Sequence, residues 1–275
     1  MTQNFTLHTH TLGFDGKNHE REMMDTALQC GMKTIGFSNH FIVHPDIYKT
    51  NFYPHAVLGG YGRMYNTNFT MAIDKFKQHY ETLEKLNNDN INILHGMELD
   101  LFDSKYWYNG YAHAIKKLNP DYVIGACHFI EYGGKICNIH DMKLASPDDQ
   151  DKMLAEYWKK IQWIAKSGLC TFLAHIDLPK RVGLGCEEKW IDAEQKTIDV
   201  IANSKIPVEI NTALYKYGDH PHPSSRIMQM CADKKVPMLI SDDAHHISHV
   251  CKYFDDAKKY ADCFSVNLVG LDKIL

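Results

Sequence analysis

Tyr122-Val123-Ile124-Gly125-Ala126-Cys127-His128 is the stretch on which the reading of this chain turns. It is a short, uncharged run that ends directly in a histidine. A helix-length amphipathic segment precedes it at about 105–118, and another follows at about 149–167. A short apolar run between two such segments reads as a strand between helices. Working outward in both directions, the same unit recurs. Strands are expected at 5–7, 34–37, 91–97, 122–127, 170–174, 207–210 and 237–240. Helices are expected at about 20–31, 69–87, 105–118, 149–167, 189–203 and 224–234. Regular alternation of this kind predicts an α/β fold with a parallel sheet and right-handed crossovers. Seven such units close naturally into a barrel; an open doubly wound sheet is the alternative.

The polar residues fall in a regular place. The strand at 5–7 runs into His8 and His10, the strand at 34–37 into His40, and the strand at 91–97 into Glu98. The strand at 122–127 meets His128, the strand at 170–174 meets His175, and the last reaches Asp243 and His245. In an α/β barrel these C-terminal ends open onto one face, where active sites are built. One histidine at a strand end is an ordinary rim residue. Six strands ending this way point to a shared metal centre. His8-Thr9-His10 puts two imidazoles on the same side of an extended chain, as Asp243 and His245 do for a carboxylate and an imidazole, with Asp242 facing away. The two oxygens of Glu98 suit it to bridging two ions.

Composition bounds the rest. The chain has 275 residues, 44% hydrophobic and 23% charged, with a net charge of −4. A single domain spanning 1–275 is expected, and nothing marks a general nucleic-acid binder. No apolar run approaches the roughly 20 residues needed to span a membrane. Met1-Thr2-Gln3-Asn4 lacks the basic start of a signal peptide, so a cytoplasmic protein is expected. The 8 cysteines include no CxxC pair and read as thiols of a reducing compartment. The 17 histidines are the anomaly, and they are dispersed rather than clustered as a tag would be.

These residues together resemble the PHP (polymerase and histidinol phosphatase) family. The carrying motifs are His8-Thr9-His10-Thr11 with Asp15, Ser38-Asn39-His40, Gly96-Met97-Glu98-Leu99-Asp100, Gly125-Ala126-Cys127-His128-Phe129, Leu173-Ala174-His175-Ile176-Asp177 and Ser241-Asp242-Asp243-Ala244-His245. They occur in the family's order and cover nearly the whole chain. His175 to Arg181, and Val208 to Thr212 leading into Pro221-His222-Pro223-Ser224, are similar to the monofunctional histidinol-phosphatase branch. The resemblance implies a distorted (β/α)7 barrel with a trinuclear site. His8, His10, Glu98 and Asp243 would hold one ion, and Glu98, His128 and His175 a second. Asp15, His40 and His245 would hold the third, with His19 as a substitute ligand. Asn39, where many relatives carry an acid, would act behind the ligands.

Nitrogen and oxygen donors without cysteine suit Zn²⁺, Mn²⁺ or Fe²⁺ rather than Mg²⁺. The expected reaction is hydrolysis of L-histidinol phosphate, a small phosphate monoester, by attack of a metal-activated water. A phosphodiesterase or nuclease of the same family is the second reading, and a non-catalytic metal-binding module the third. Glu98 and Asp243 are the expected catalytic core. Arg181 is the candidate phosphate clamp, with Arg63 and Arg226 competing. His222 and Asp177 are candidate leaving-group acids. Asn211 and Tyr61 are candidate substrate contacts. The long segment 41–68 is expected to be a substrate-covering loop in which Asp46, Tyr48, Tyr53, His55 and Tyr61 face the ligand.

Overall fold

A computed structural model describes residues 3–86 and 89–275. In chain order it opens with β1 (Phe5–Thr6), α1 (Glu20–Gln29), β2 (Thr34–Phe37), β3 (His40–Val43), α2 (Tyr53–Leu58) and β4 (Tyr65–Asn66). It continues with α3 (Phe69–Glu84), β5 (Asn92–Asp100), α4 (Lys105–Leu118), β6 (Tyr122–Ala126), β7 (Phe129–Tyr132), β8 (Lys135–Asn138) and α5 (Ile139–Leu144). Then come α6 (Pro147–Lys166), β9 (Phe172–Leu173), α7 (Ile191–Ser204), β10 (Val208–Asn211), α8 (Ser225–Asp233), β11 (Pro237–Ser241), α9 (Phe254–Phe264) and β12 (Asn267–Leu268).

The main sheet runs β1-β2-β5-β6-β9-β10-β11-β12, with every pairing parallel. The ladder between β11 and β1 is reduced to a few bonds. Ala244 N–H donates to the His8 carbonyl at 3.1 Å, and His10 N–H to the Ala244 carbonyl at 2.9 Å. The Gln3 side-chain amide donates to the Ile240 carbonyl at 2.6 Å and accepts from the Ile240 N–H at 3.0 Å. These contacts close a distorted (β/α)7 barrel.

Strand alternation divides the core in two. On β6, Tyr122, Ile124 and Ala126 join Phe5, Leu7, Leu94, Phe172, Ala174 and Leu239 in the barrel interior. Val123 and Cys127 face outward into the layer packed under the helices. Tyr122 crosses the interior, and its hydroxyl donates to the Leu7 carbonyl at 2.5 Å. Room for its ring exists only because residues 36 and 96 are glycines: a Cβ at either would overlap the phenol. Glycine here serves close approach rather than backbone freedom.

Several expectations shift. Strand β5 runs on to Asp100 rather than ending at Met97, so Glu98 lies within it, in register with His40 of β3. The segment 41–68 is not a plain loop. Phe41, Ile42 and Val43 are buried, and β3 extends the barrel beside β5 past the end of β2. The hairpin β7–β8 turns at Gly133-Gly134, both with positive φ, as two-residue hairpin loops require. Helix α3 ends at Glu84; the expected last helical residue, 87, lies outside the described residues, as do residues 1–2 of the N-terminal stretch. Helix α9 and β12 follow where no unit was expected. Among the described residues no helix is long and apolar enough to cross a membrane.

Gly96→Ala is expected to lower the unfolding free energy by about 2 kcal/mol, the usual scale of overpacking. Urea denaturation should show this, and the penalty should shrink in a Tyr122→Leu background, where the clashing ring is gone. An equal penalty in both backgrounds would contradict the packing account.

Candidate metal centre

Glu98 is the hub. It is fully buried, and five imidazoles surround its carboxylate. Oε2 lies 2.7 Å from His40 Nδ1, 3.4 Å from His8 Nε2 and 3.6 Å from His10 Nε2. Oε1 lies 3.0 Å from His175 Nε2 and 3.5 Å from His128 Nε2. Asp243 approaches from the far side of the seam, 3.1 Å from His10 Nε2 and 3.6 Å from His8 Nε2. Asp15 lies 2.9 Å from His245 Nε2, 3.1 Å from His40 Nε2 and 3.4 Å from His10 Nδ1.

The nine side chains form four overlapping groups of metal-ligand geometry: His10, Asp15, His40 and His245; His8, His10 and Asp243; His8, Glu98 and His175; and His40, Glu98 and His128. The donor chemistry fits divalent ions. His8 Nε2, both ring nitrogens of His10, His40 Nδ1, Asp15 Oδ1 and Glu98 Oε2 are buried without a hydrogen-bond partner. Polar atoms left so in an interior need compensation, and a shared cation would supply it.

Burial alone would discharge these groups. For Glu98, desolvation is outweighed by His40, His8 and His128, which hold the carboxyl well below its ordinary range. For His8, desolvation is outweighed by Glu209, Asp243 and Glu98, and its pKa lies well above the ordinary value. His40 is raised in the same way against burial by Glu98 and Asp15. Asp15 and Asp243, like Glu98, are held well below the usual carboxylate range against burial, by His245 and by His8 respectively before their other neighbours.

The residues behind the cluster fix its orientation. Glu209, fully buried on β10, takes His8 Nδ1 at 2.8 Å, the His175 N–H at 2.9 Å, Ser241 Oγ at 2.5 Å and Asn211 Nδ2 at 2.7 Å. Asp100 takes His128 Nδ1 at 3.1 Å and is itself held by buried Lys160 at 3.1 Å. A carboxylate on one ring nitrogen turns the other toward the metal position.

The pattern of the PHP domain matches residues 5–213. The chain belongs to the PHP domain family. Its matched region stops before Asp243 and His245, which the barrel seam brings back to the same cluster. A Deinococcus radiodurans protein that carries the provisional name histidinol-phosphatase is 22% identical over 265 residues, 92% of this chain and 90% of that one. A Listeria monocytogenes structure, provisionally assigned as a histidinol phosphatase, shares the fold with a TM-score of 0.74. That match has 14% identity and covers 92% of this chain and 99% of the other. The histidinol phosphate phosphatase of Lactococcus lactis, solved with zinc, L-histidinol and phosphate, gives a TM-score of 0.67. Its identity is 16%, with coverage of 97% of this chain and 95% of that one.

In this PHP domain Asp15, His40, His128, His175, Asp243 and His245 of the cluster line a cavity of about 760 Å³. Arg63, Arg181 and Tyr61 also line it, as do Phe52, Tyr65 and His140, which the sequence reading did not single out. Of the residues expected to face a substrate from 41–68, Tyr61 does so. Tyr48 and His55 are exposed outside the lining, Asp46 pairs with Lys49, and Tyr53 packs on Tyr65. Asn211 holds Glu209 and Asp243 (3.3 Å) and does not line the cavity. His222 is buried with Nδ1 on Asp177 at 2.6 Å; neither lines the cavity, and the leaving-group role expected of them does not fit. Arg226 is consumed by Glu194 at 2.5 Å and by backbone carbonyls. His19 begins α1, exposed and outside every ligand group. Asn39 acts behind the ligands, accepting from the Thr11 N–H at 2.8 Å and contacting His79 at 3.0 Å.

Two linked outcomes follow for metal-free protein. A histidine whose folded pKa is raised stabilises the fold at low pH, and that contribution is lost as pH rises through the raised value. Carboxyls held low contribute above their ordinary range and lose that contribution on acidification. Stability of chelator-treated protein should therefore peak between about pH 4.5 and 6.5, the ordinary values for Glu98 and His8, and decline at higher pH. Metal added at pH 7 should displace protons, measurable by calorimetry in buffers of different ionisation enthalpy. A metal-free stability that climbs from pH 7 to 9 would rule out these pairings.

Proposed function

We propose that this PHP-family chain is a metal-dependent phosphomonoesterase that hydrolyses L-histidinol phosphate to L-histidinol and phosphate. One observation carries the reading: six of the nine candidate ligands line a cavity that also carries two guanidinium groups and several aromatic rings. The first suits a phosphoryl group and the second its anionic oxygens. The aromatic rings of Phe52, Tyr61 and Tyr65 suit a planar leaving group. The Lactococcus lactis relative, solved with L-histidinol and phosphate, supports that choice of substrate.

Three ion positions are proposed, shared among His8, His10, Asp15, His40, Glu98, His128, His175, Asp243 and His245, with Zn²⁺, Mn²⁺ or Fe²⁺ as occupants. When bound, such ions lower the pKa of a water and offset the charge that develops on the phosphoryl oxygens. The chain's own side chains do the rest. Glu209 and Asp100 hold His8 and His128 in the tautomer that presents Nε2 to the cluster. Arg181 is steadied by Tyr217, whose hydroxyl accepts at 3.0 Å and whose ring lies 4.7 Å beneath the guanidinium. That leaves the remaining N–H groups of Arg181 for a phosphate at the cavity mouth. Arg63, with Nε on the Phe14 carbonyl at 3.3 Å, lines the same cavity. The cytoplasmic setting expected from the sequence belongs to this proposal.

Enzyme loaded with Mn²⁺ or Zn²⁺ should release phosphate from L-histidinol phosphate with kcat/KM at least about a hundredfold above nucleotide monophosphates and bis-p-nitrophenyl phosphate, a difference of about 3 kcal/mol in transition-state binding. Equal or reversed preference would leave the metal centre standing and remove the substrate. Asp243→Ala should lose metal and activity together. Arg181→Ala should chiefly raise KM, by roughly tenfold or more, as loss of a charge-assisted phosphate contact does.

A further inference from the structure

The seam between β1 and β11 is the thinnest part of the barrel wall, and a cleft of about 1390 Å³ opens against it. Gln3, Ile240, Cys30 and Cys251 all line that cleft. Cys30 is exposed and terminates α1, which connects β1 to β2. Its thiol points at the peptide of the opposite segment, 3.9 Å from the carbonyl oxygen of Val250, the group bonded to the Cys251 nitrogen. The Cys30 side chain is among the neighbours that push the Cys251 thiol up. Cys251 is anchored in turn: its N–H donates to Asp242 Oδ2 at 2.6 Å, and Asp242 Oδ1 accepts from Thr6 Oγ1 of β1 at 2.8 Å.

We propose that Cys30 and Cys251 are a modification site, a thiol pair that a hydroperoxide converts reversibly into a disulfide stapling the barrel seam. The inference does not depend on the substrate. Cys30, the more exposed sulfur, meets the oxidant first. Its sulfur takes the terminal oxygen of the peroxide, giving a sulfenic acid and releasing the peroxide's alcohol or water. The Cys251 sulfur then attacks the Cys30 sulfur, the S–S bond forms, and the hydroxyl leaves as water with the Cys251 proton. Two electrons pass from the thiols to one peroxide. A dithiol reductant reverses the change. Burial, with Asp242 close by, pushes the Cys251 thiol well up, so the second step is the slower one. The bond would join α1 to the segment after β11, beside the seam where the Thr9–Ala244 bridge holds the two ends of the barrel together.

The test treats the full-length, metal-loaded protein with hydrogen peroxide and maps an unreduced proteolytic digest by mass spectrometry. The expected product is a cross-linked peptide pair containing Cys30 and Cys251, two hydrogens lighter than the free peptides, that disappears with dithiothreitol. Cys186 and Cys263 are also exposed and serve as internal controls. The oxidised protein should melt about 5 °C or more above the reduced form. Cys30→Ser should keep full activity and show no such rise. Cys30 recovered only as sulfinic acid, or cross-linked to another chain, would overturn the proposal. A Cys30–Cys251 cross-link without a melting shift would overturn the stapling role.

Discussion

A carboxylate buried among five imidazoles is the interaction on which this structure depends. Glu98 has no exposed surface, and its oxygens lie within 3.6 Å of His8, His10, His40, His128 and His175. Asp15 and Asp243 bring two more carboxylates into the same volume. Removing such groups from water costs several kcal/mol per ion, and their mutual attraction repays it only when every lone pair is directed. The barrel provides the direction. The nine side chains come from the ends of six strands, β1, β3, β5, β6, β9 and β11, which the parallel ladder of the sheet holds side by side.

That division explains how the wall beneath the cluster is built. Tyr122 fills the interior below the site, and the two glycines that admit its ring lie on β2 and β5, the strands that lead to His40 and Glu98. Apolar packing thus sets the height at which the strands begin to carry polar groups. Above it, Glu209 bridges the His8 ring and the backbone of His175, coupling β1 to β9 and β10. Lys160 does the same at one remove by holding Asp100 behind His128. These contacts behind the cluster orient its rings, and an oriented donor set favours the ions whose geometry it matches.

The seam has the opposite character. Between β1 and β11 the ladder shrinks to the Thr9–Ala244 bridge and the Gln3 amide. The backbone of Asp243 has φ 47° there, and that of His175 has φ 24° just past β9. Non-glycine residues rarely adopt such values, and strain of this sort gathers where function over-determines the backbone.

The sequence by itself determined the alternation of strand and helix, the parallel sheet and the set of candidate ligands. Those depend on local periodicity and on polar residues at strand ends, which a linear reading can see. It also contained two unread signals: Glu209 standing alone between Val208 and Ile210 in a buried strand, and Gly133-Gly134 marking a hairpin. Only the tertiary structure decided which ligands share a position, because side chains from residue 8 to residue 245 meet through strand register and not through spacing. The same holds for Asn211, His222 and Arg226. Each looked available for substrate in the chain, and each is occupied by a neighbour distant in sequence: Asp243, Asp177 and Glu194. Whether a polar side chain is free or already satisfied is a property of its surroundings, which only the folded chain supplies.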